Sequence, residues 1–237
     1  MKKNKLNNFK ENGFFFNSIN QNKNNLIKLR KNWISIFDKI SQAKLNKRIK
    51  NEKDIIDLYF SKNRNIWVNV YDLLHLDPLL YKIASSNEMS QIIRKAGIKS
   101  PHYGTRPYVR VDMPNDLKFS RFRAHQDFPY NKHSKNSVVI WIPLQNTNYE
   151  LGCLRFWVGS HVKNKIYKYD KKKIIINRKK INFRSFPCKF GQSIIFSQFL
   201  VHESGENFTD KIRFSIQFRV TDLNSKEYAL RNFPVVR

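Results

Sequence analysis

Cysteine is nearly absent from this chain: Cys153 and Cys188 are the only two among 237 residues. Two thiols make no disulfide framework, and neither belongs to a CxxC metal knuckle. A reduced, intracellular setting is the expectation. Long apolar runs are missing too. No stretch approaches the ~20 residues of a membrane span, and the "GFFF" near the basic N-terminus is too short for a signal-peptide core. The sequence therefore predicts a cytoplasmic protein with no membrane span. Internal repeats and Gly/Ser-rich linkers are also lacking, so one domain over residues 1–237 is the economical organisation, with residues 1–8 as a tail. Acids are scarce: 18 stand against 45 Lys plus Arg, a formal net charge of +27. Such a surplus can signal a polyanionic partner. Here lysine recurs with Asn and Ile throughout, as in "MKKNKLNN", "NQNKNNLIK" and "KKKIIINRKK". The surplus reads as compositional, and no specific nucleic-acid partner is expected.

What the chain does have is apolar mass, including 19 Phe, enough for a substantial core. Residues 1–103 read as mostly helical. Leu26, Ile27, Leu29, Trp33, Ile34 and Phe37 recur at spacings near three and four, one face of an amphipathic helix. Further helices are predicted over Asp54–Phe60, over Ile66–Ala84 with an interruption at Pro78, and over Met89–Lys95 ahead of Gly97. Past Pro101 the texture changes. "TRPYVRVDM", "SVVIWIPL", "CLRFWV", "QSIIFSQFLVH" and "KIRFSIQFRVTDL" read as strands, and "KIIINRKKINF" as a hairpin with a basic edge. Short strands punctuated by Gly, Asn and Asp predict an antiparallel jelly roll over residues 104–237.

Chemistry concentrates at two places. In "AHQDFPYNKH", His125 and Asp127 share a strand face if the segment is extended, with Gln126 turned away. An imidazole and a carboxylate at one point suit Fe(II), Mn(II) or Zn(II). Downstream, "FLVHESGEN" places His202 at the end of an apolar strand. The next strand carries Arg213, Ser215, Gln217 and Arg219 on one face and Phe214, Ile216 and Phe218 on the other. Two histidines and one carboxylate can form a facial triad that leaves half of an octahedral ion's positions open. A neighbouring arginine offers a fixed fork for a carboxylate. The other histidines fit plainer roles: His161 as a turn residue, His133 as a solvated loop residue, and His75 and His102 as structural or surface groups. Trp141 and Trp157 fit core packing.

Taken together, "HQD" at His125–Asp127, "GCLRFWVGSH" at Gly152–His161 and "HESGEN" at His202–Asn207, followed by Arg213, resemble the phytanoyl-CoA dioxygenase family of Fe(II)/2-oxoglutarate oxygenases. The opening "FKENGFFF" resembles that family's first helix and strand. The resemblance covers most of the chain and is densest from Ala124 to Arg219. One departure is Val158, where the family's "PGSH" turn has proline. The resemblance implies a double-stranded β-helix core, of the jelly-roll or cupin type, with N-terminal helices packed on its major sheet. It implies His125, Asp127 and His202 as Fe(II) ligands, and Arg213 with Ser204 at the distal carboxylate of 2-oxoglutarate. The implied reaction consumes O2, converts the cosubstrate to succinate and carbon dioxide, and hydroxylates a C–H bond of a small molecule. Gln145, Arg219 and Arg110 are the candidate substrate contacts, and Arg110 or Asp112 could touch the cosubstrate from the strand before His125. Two other readings compete. AlkB-type nucleic-acid demethylases also carry HxD…H and two arginines spaced like Arg213 and Arg219. A non-catalytic basic jelly-roll binding protein is the third.

Overall fold

The computed structural model describes residues 9–116, 122–167, 169–170, 173–174 and 182–234. The helices are α1 (Lys23–Leu45), α2 (Glu52–Phe60), α3 (Arg64–Leu74), α4 (Pro78–Ala84), α5 (Asn87–Lys95), α6 (Phe128–Asn131) and α7 (Lys226–Ala229). The strands are β1 (Phe14–Ser18), β2 (Pro101–Tyr103), β3 (Tyr108–Asp112), β4 (Ser137–Pro143), β5 (Leu154–Phe156), β6 (Tyr169–Asp170), β7 (Lys173–Ile174), β8 (Arg184–Phe186), β9 (Gln192–Ser197), β10 (His202–Ser204) and β11 (Arg213–Asp222).

The predicted stripe on α1 is its buried face: Leu26, Leu29, Trp33 and Phe37 are all sealed from solvent. The helix runs beyond Phe37 and ends where Asn46 adopts a left-handed conformation (φ 52°), which Asn tolerates at a helix C-terminus. Local chemistry starts the next helices. Asn51 and Asp54 form a reciprocal capping box on α2, a device that satisfies orphan N–H groups at the first turn. The interruption expected at Pro78 separates α3 from α4, with Pro78 in the first turn of α4 and the Asp77 carboxylate accepting from the Leu79 N–H.

The major sheet runs β1-β9-β4-β11-β2, with β3 also paired to β11, and every pairing is antiparallel. The minor sheet runs β10-β5-β8. Period-two alternation on β11 sorts its side chains as the sequence predicts: Phe214, Ile216, Phe218 and Val220 join the core shared with the helices. On β3, Val109 and Val111 do the same. A second core, with Val139, Trp141, Ile194, Phe196, Leu154 and Phe156, fills the space between the sheets. Each fully buried large side chain contributes ~1.5–3 kcal/mol over its exposed state. The architecture is thus the double-stranded β-helix with helices on the major sheet.

Two expectations change. The segment "QSIIFSQFLVH" is not one strand. Strand β9 stops at Ser197, the Leu200 N–H closes a turn on the Ser197 carbonyl (2.9 Å), and His202 opens β10. The chain must cross from the major to the minor sheet between them, which a continuous strand could not do. His133 is not a solvated loop residue; it is buried, 1% exposed. Most of the expected hairpin over 173–183, and the tail 1–8, lie outside the described residues.

Candidate metal centre

The minor sheet places the two histidines. His125 and His202 form an antiparallel bridge, each donating its backbone N–H to the other's carbonyl at 2.9 Å. That pairing brings their rings to 4.2 Å between centroids. Asp127 does not continue a strand, as the sequence suggests it would. Its backbone turns helical (φ −75°, ψ −30°) and leads into α6. The carboxylate still returns to the histidines: Asp127 Oδ1 lies 3.9 Å from His125 Nε2 and Oδ2 lies 4.0 Å from His202 Nε2. Gln126 turns the other way, is fully buried, and donates to the carbonyls of Phe199 (2.6 Å) and Lys165 (2.8 Å). It clamps the segment from behind.

One ligand atom from each of His125, Asp127 and His202 lies within 4.8 Å of the other two. The gaps are too long for hydrogen bonds, but metal–ligand bonds of about 2.0–2.2 Å reach a common centre across them. Ring orientation is fixed by the other nitrogens. His125 Nδ1 lies 2.8 Å from the Arg123 carbonyl and His202 Nδ1 lies 2.9 Å from the Leu200 carbonyl. A carbonyl only accepts, so both Nδ1 atoms carry the proton and both Nε2 lone pairs face the cluster. Burial, joined by the adjacent His125 ring, pushes the His202 pKa down to about 3. His125 is lowered by burial and by the guanidiniums of Arg219 and Arg110, against the opposing pull of Asp127. For Asp127 burial acts upward, yet the Arg219 guanidinium and the two imidazoles hold it at about 2. The set is two neutral imidazoles and one carboxylate, the protonation states a metal requires. Asp127 Oδ2 is buried with no hydrogen-bond partner. An orphaned acceptor of that kind is costly unless something occupies it, so the residues fit a divalent ion.

Behind the triad lies a second cluster. Arg213 is 2% exposed. It donates Nε (3.0 Å) and Nη2 (2.6 Å) to Asp112 Oδ2, and Nη2 also to Ser204 Oγ at 3.1 Å. Asp112 takes a further bond from Arg110 through its other oxygen. Strand register explains the arrangement: Asp112 is the direct cross-strand partner of Arg213, and Ser215 that of Arg110. Arg213 Nη1 is buried with no partner, a donor left over on the same guanidinium whose Nη2 bonds Ser204. A carboxylate ligand fits there.

A cavity of about 560 Å³ opens over the triad. Its walls include Tyr71, Asp72 and His75 of α3, Tyr108 and Arg110 of β3, Arg123, Asn131, Leu154, Phe196 and Arg219. The contact that seats α3 on β3 is a hydrogen bond from Tyr71 Oη to the Val109 carbonyl (2.8 Å). The candidate residues do not all meet here. Arg110, Ser204 and Arg219 line the cavity, and Arg213 sits behind it. Gln145 does not line it. Strand β4 ends at Pro143, and Gln145 lies beside Ile27, Arg30 and Phe190 at a separate recess, donating to the Ile212 carbonyl (2.7 Å). His75, read as structural or surface, lines the cavity from α3, while His161, read as a turn residue, has its Nε2 3.0 Å from the Lys10 carbonyl. The wall from α3 was not legible, because nothing in one sequence says which helix face meets β3. Asp112 was recognisable as a polar candidate but not as the partner of Arg213, which depends on register.

This geometry, a His-Asp-His triad at the mouth of a double-stranded β-helix with a buried arginine behind it, defines the class of jelly-roll non-haem iron oxygenases. Comparison with known proteins agrees. The chain belongs to the phytanoyl-CoA dioxygenase (PhyH) family, whose family model matches residues 42–215, and is accordingly an Fe(II)- and 2-oxoglutarate-dependent oxidoreductase. Three solved structures share the fold. AviO1 from Streptomyces viridochromogenes Tue57 superposes with a TM-score of 0.60 at 14% identity, over 100% of this chain and 98% of that one. EctD from S. alaskensis gives 0.66 at 14% identity, over 92% and 76%. The epimerase SnoN, solved with Fe3+, alpha ketoglutarate and nogalamycin RO, gives 0.59 at 15% identity, over 93% and 83%. No curated protein matches the chain. Among the described residues no helix is long and apolar enough to cross a membrane.

Proposed function

We propose that the chain hydroxylates a C–H bond of a small molecule with decarboxylation of 2-oxoglutarate to succinate, and that His125, Asp127 and His202 hold the Fe(II). The observation that carries this reading is the convergence of one ligand atom from each of His125, Asp127 and His202 within 4.8 Å, with Asp127 Oδ2 buried and without a hydrogen-bond partner. When bound, the metal and cosubstrate supply oxygen activation; the protein's part is binding, orientation and exclusion of competing reactions.

Each role follows from the contacts described. The Arg123 and Leu200 carbonyls hold the Nδ1 protons, so the imidazoles stay in the tautomer that ligates. Arg219 donates to Asp127 Oδ1 at 3.1 Å, which steadies the carboxylate and keeps it ionised. Arg213 and Ser204 take the distal carboxylate of 2-oxoglutarate, with Asp112 pre-setting the guanidinium plane. A fork oriented before the ligand arrives loses less entropy on binding it. Leu154 and Phe196 give the cavity an apolar flank beside the triad, which limits water near the metal.

The test is succinate formation. Purified protein with Fe(II), ascorbate, O2 and 2-oxoglutarate should release succinate slowly without substrate, and faster with a hydroxylatable one from a panel of acyl-CoAs, amino acids and sugar derivatives. Asp127→Ala should abolish both. Succinate release that persists undiminished in Asp127→Ala would refute the assignment.

A further inference from the structure

We propose that the substrate carries an acidic group, a carboxylate or phosphate, and that Arg219 and Asn131 receive it. The proposal rests on the oxygenase reading of the triad and adds a substrate class to it.

The charged side chains described around the cavity are mostly cationic. Behind the triad, two guanidiniums (Arg110 and Arg213) face one carboxylate (Asp112); the distal carboxylate of 2-oxoglutarate completes that set. At the triad, the dication is matched by Asp127 and the keto-acid end of the cosubstrate. Arg219 then remains in the interior among the described lining residues, and Arg106 and Arg123, both exposed, add positive charge at the cavity with the exposed Asp72 alone against them. A surplus of positive charge persists in a concave, partly apolar site, where the field is strongest.

Composition does not account for this. Lysine outnumbers arginine by 30 to 15 in the chain. Yet the cavity lining has four arginines, Arg106, Arg110, Arg123 and Arg219, and no lysine among the described residues. Arginine is the residue whose planar fork matches carboxylate and phosphate.

The donors are also unspent. Arg219 uses Nη2 on Asp127 at 3.1 Å and lays its guanidinium over the Tyr108 ring at 4.2 Å. Its Nε and Nη1 are buried with no partner. Asn131, 7% exposed, has a buried Nδ2 in the same condition and lines the same cavity. Both are tied to Asp127, since the Asn131 N–H donates to the Asp127 carbonyl at 3.0 Å. Buried donors without partners cost stability, and three of them, on two residues that line one cavity beside the metal ligands, mark where an acceptor docks.

The experiment uses the full chain loaded with Ni(II) and N-oxalylglycine, an inert stand-in for 2-oxoglutarate. Methylphosphonate and propionate are titrated calorimetrically, with glycerol as a neutral control. Saturable binding of either anion, without displacement of N-oxalylglycine and without binding of glycerol, is expected. Arg219→Gln and Asn131→Leu should each weaken the anion about tenfold or more; Asn131→Leu should change N-oxalylglycine less than about threefold, whereas Arg219→Gln also disturbs Asp127 and is read on the anion alone. Asn131→Leu leaves the Arg219–Asp127 contact intact, so it remains decisive if Arg219→Gln folds poorly. Anions that compete with N-oxalylglycine would assign these donors to the cosubstrate and overturn the proposal. So would the absence of saturable binding, or variants that bind as the wild type does. If N-oxalylglycine itself fails to bind while methylphosphonate binds and both variants weaken it, the oxygenase reading falls and the acidic-ligand site stands.

Discussion

Replacing Asp112 tests the cluster behind the triad. Its carboxylate is the sole described acid bonded to both Arg110 and Arg213, and the Asp112 and Arg213 side chains are 4% and 3% exposed. Asp112→Ala removes the counter-charge and leaves Arg213 with only the Ser204 hydroxyl as a described partner. Breaking a buried pair from one side costs about 3–5 kcal/mol, because the remaining charge stays desolvated. With a urea m-value of about 3 kcal/mol/M for a chain of this size, the midpoint should fall by about 1–1.7 M with m unchanged. Asp112→Asn keeps an acceptor for one guanidinium and should fall less. Adding 2-oxoglutarate with Ni(II) should recover part of the loss, since its distal carboxylate supplies the missing charge to Arg213. The assay is equilibrium urea unfolding followed by tryptophan fluorescence. A midpoint for Asp112→Ala within experimental error of the wild type would refute the claim that this carboxylate holds the arginines in place.

Three further outcomes follow from the same contacts. Ser204→Ala should weaken 2-oxoglutarate by about 10–100-fold, the worth of a hydrogen bond to a charged group, measured as Kd on the metal-loaded protein without turnover. Asp222 accepts from the N–H groups of Ser100 (2.8 Å), Lys99 (3.1 Å) and Asn224 (3.1 Å) and from Asn136 Nδ2 (2.7 Å). Burial opposes its ionisation, but these donors outweigh it and lower the pKa. A depressed folded-state pKa stabilises above the ordinary aspartate value and is lost as pH falls through the folded one. The Tm gap between wild type and Asp222→Asn should therefore be full above about pH 5 and shrink toward zero below about pH 4; a gap independent of pH would contradict this. Gly13 sits at φ +85°, and a Cβ there would meet the His161 ring at 2.6 Å. Gly13→Ala should lower stability by about 2 kcal/mol or more, read by urea unfolding.

Most of the architecture was legible because it rests on periodicity. The stripe from Leu26 to Phe37 and the alternation from Arg213 to Arg219 each identify a buried face without knowledge of the partner. The order HxD, then H, then R was legible because one motif run carried it. What was not legible depended on register and on turns. The break after Ser197 is written in no strong turn residue, only in the need to change sheets. Asp127 reaches the cluster from a helical turn, although the i, i+2 argument assumed a strand; the short spacing worked for a different reason. Gln145 looked like a pocket residue because it follows a core strand, but the strand ends two residues earlier, at Pro143. The cavity wall from α3 could only be found by packing that helix on β3.

Whether His125, Asp127 and His202 together hold one ion is tested by metal binding without any substrate. Anaerobic titration of the apoprotein with Fe(II) in the presence of 2-oxoglutarate should give a visible charge-transfer absorption that saturates at one equivalent per chain. His125→Ala, Asp127→Ala and His202→Ala should each lose it, while Gln145→Ala keeps it. An absorption that survives in all three ligand variants, or one that never forms in the wild type, would rule out a shared iron site at these residues.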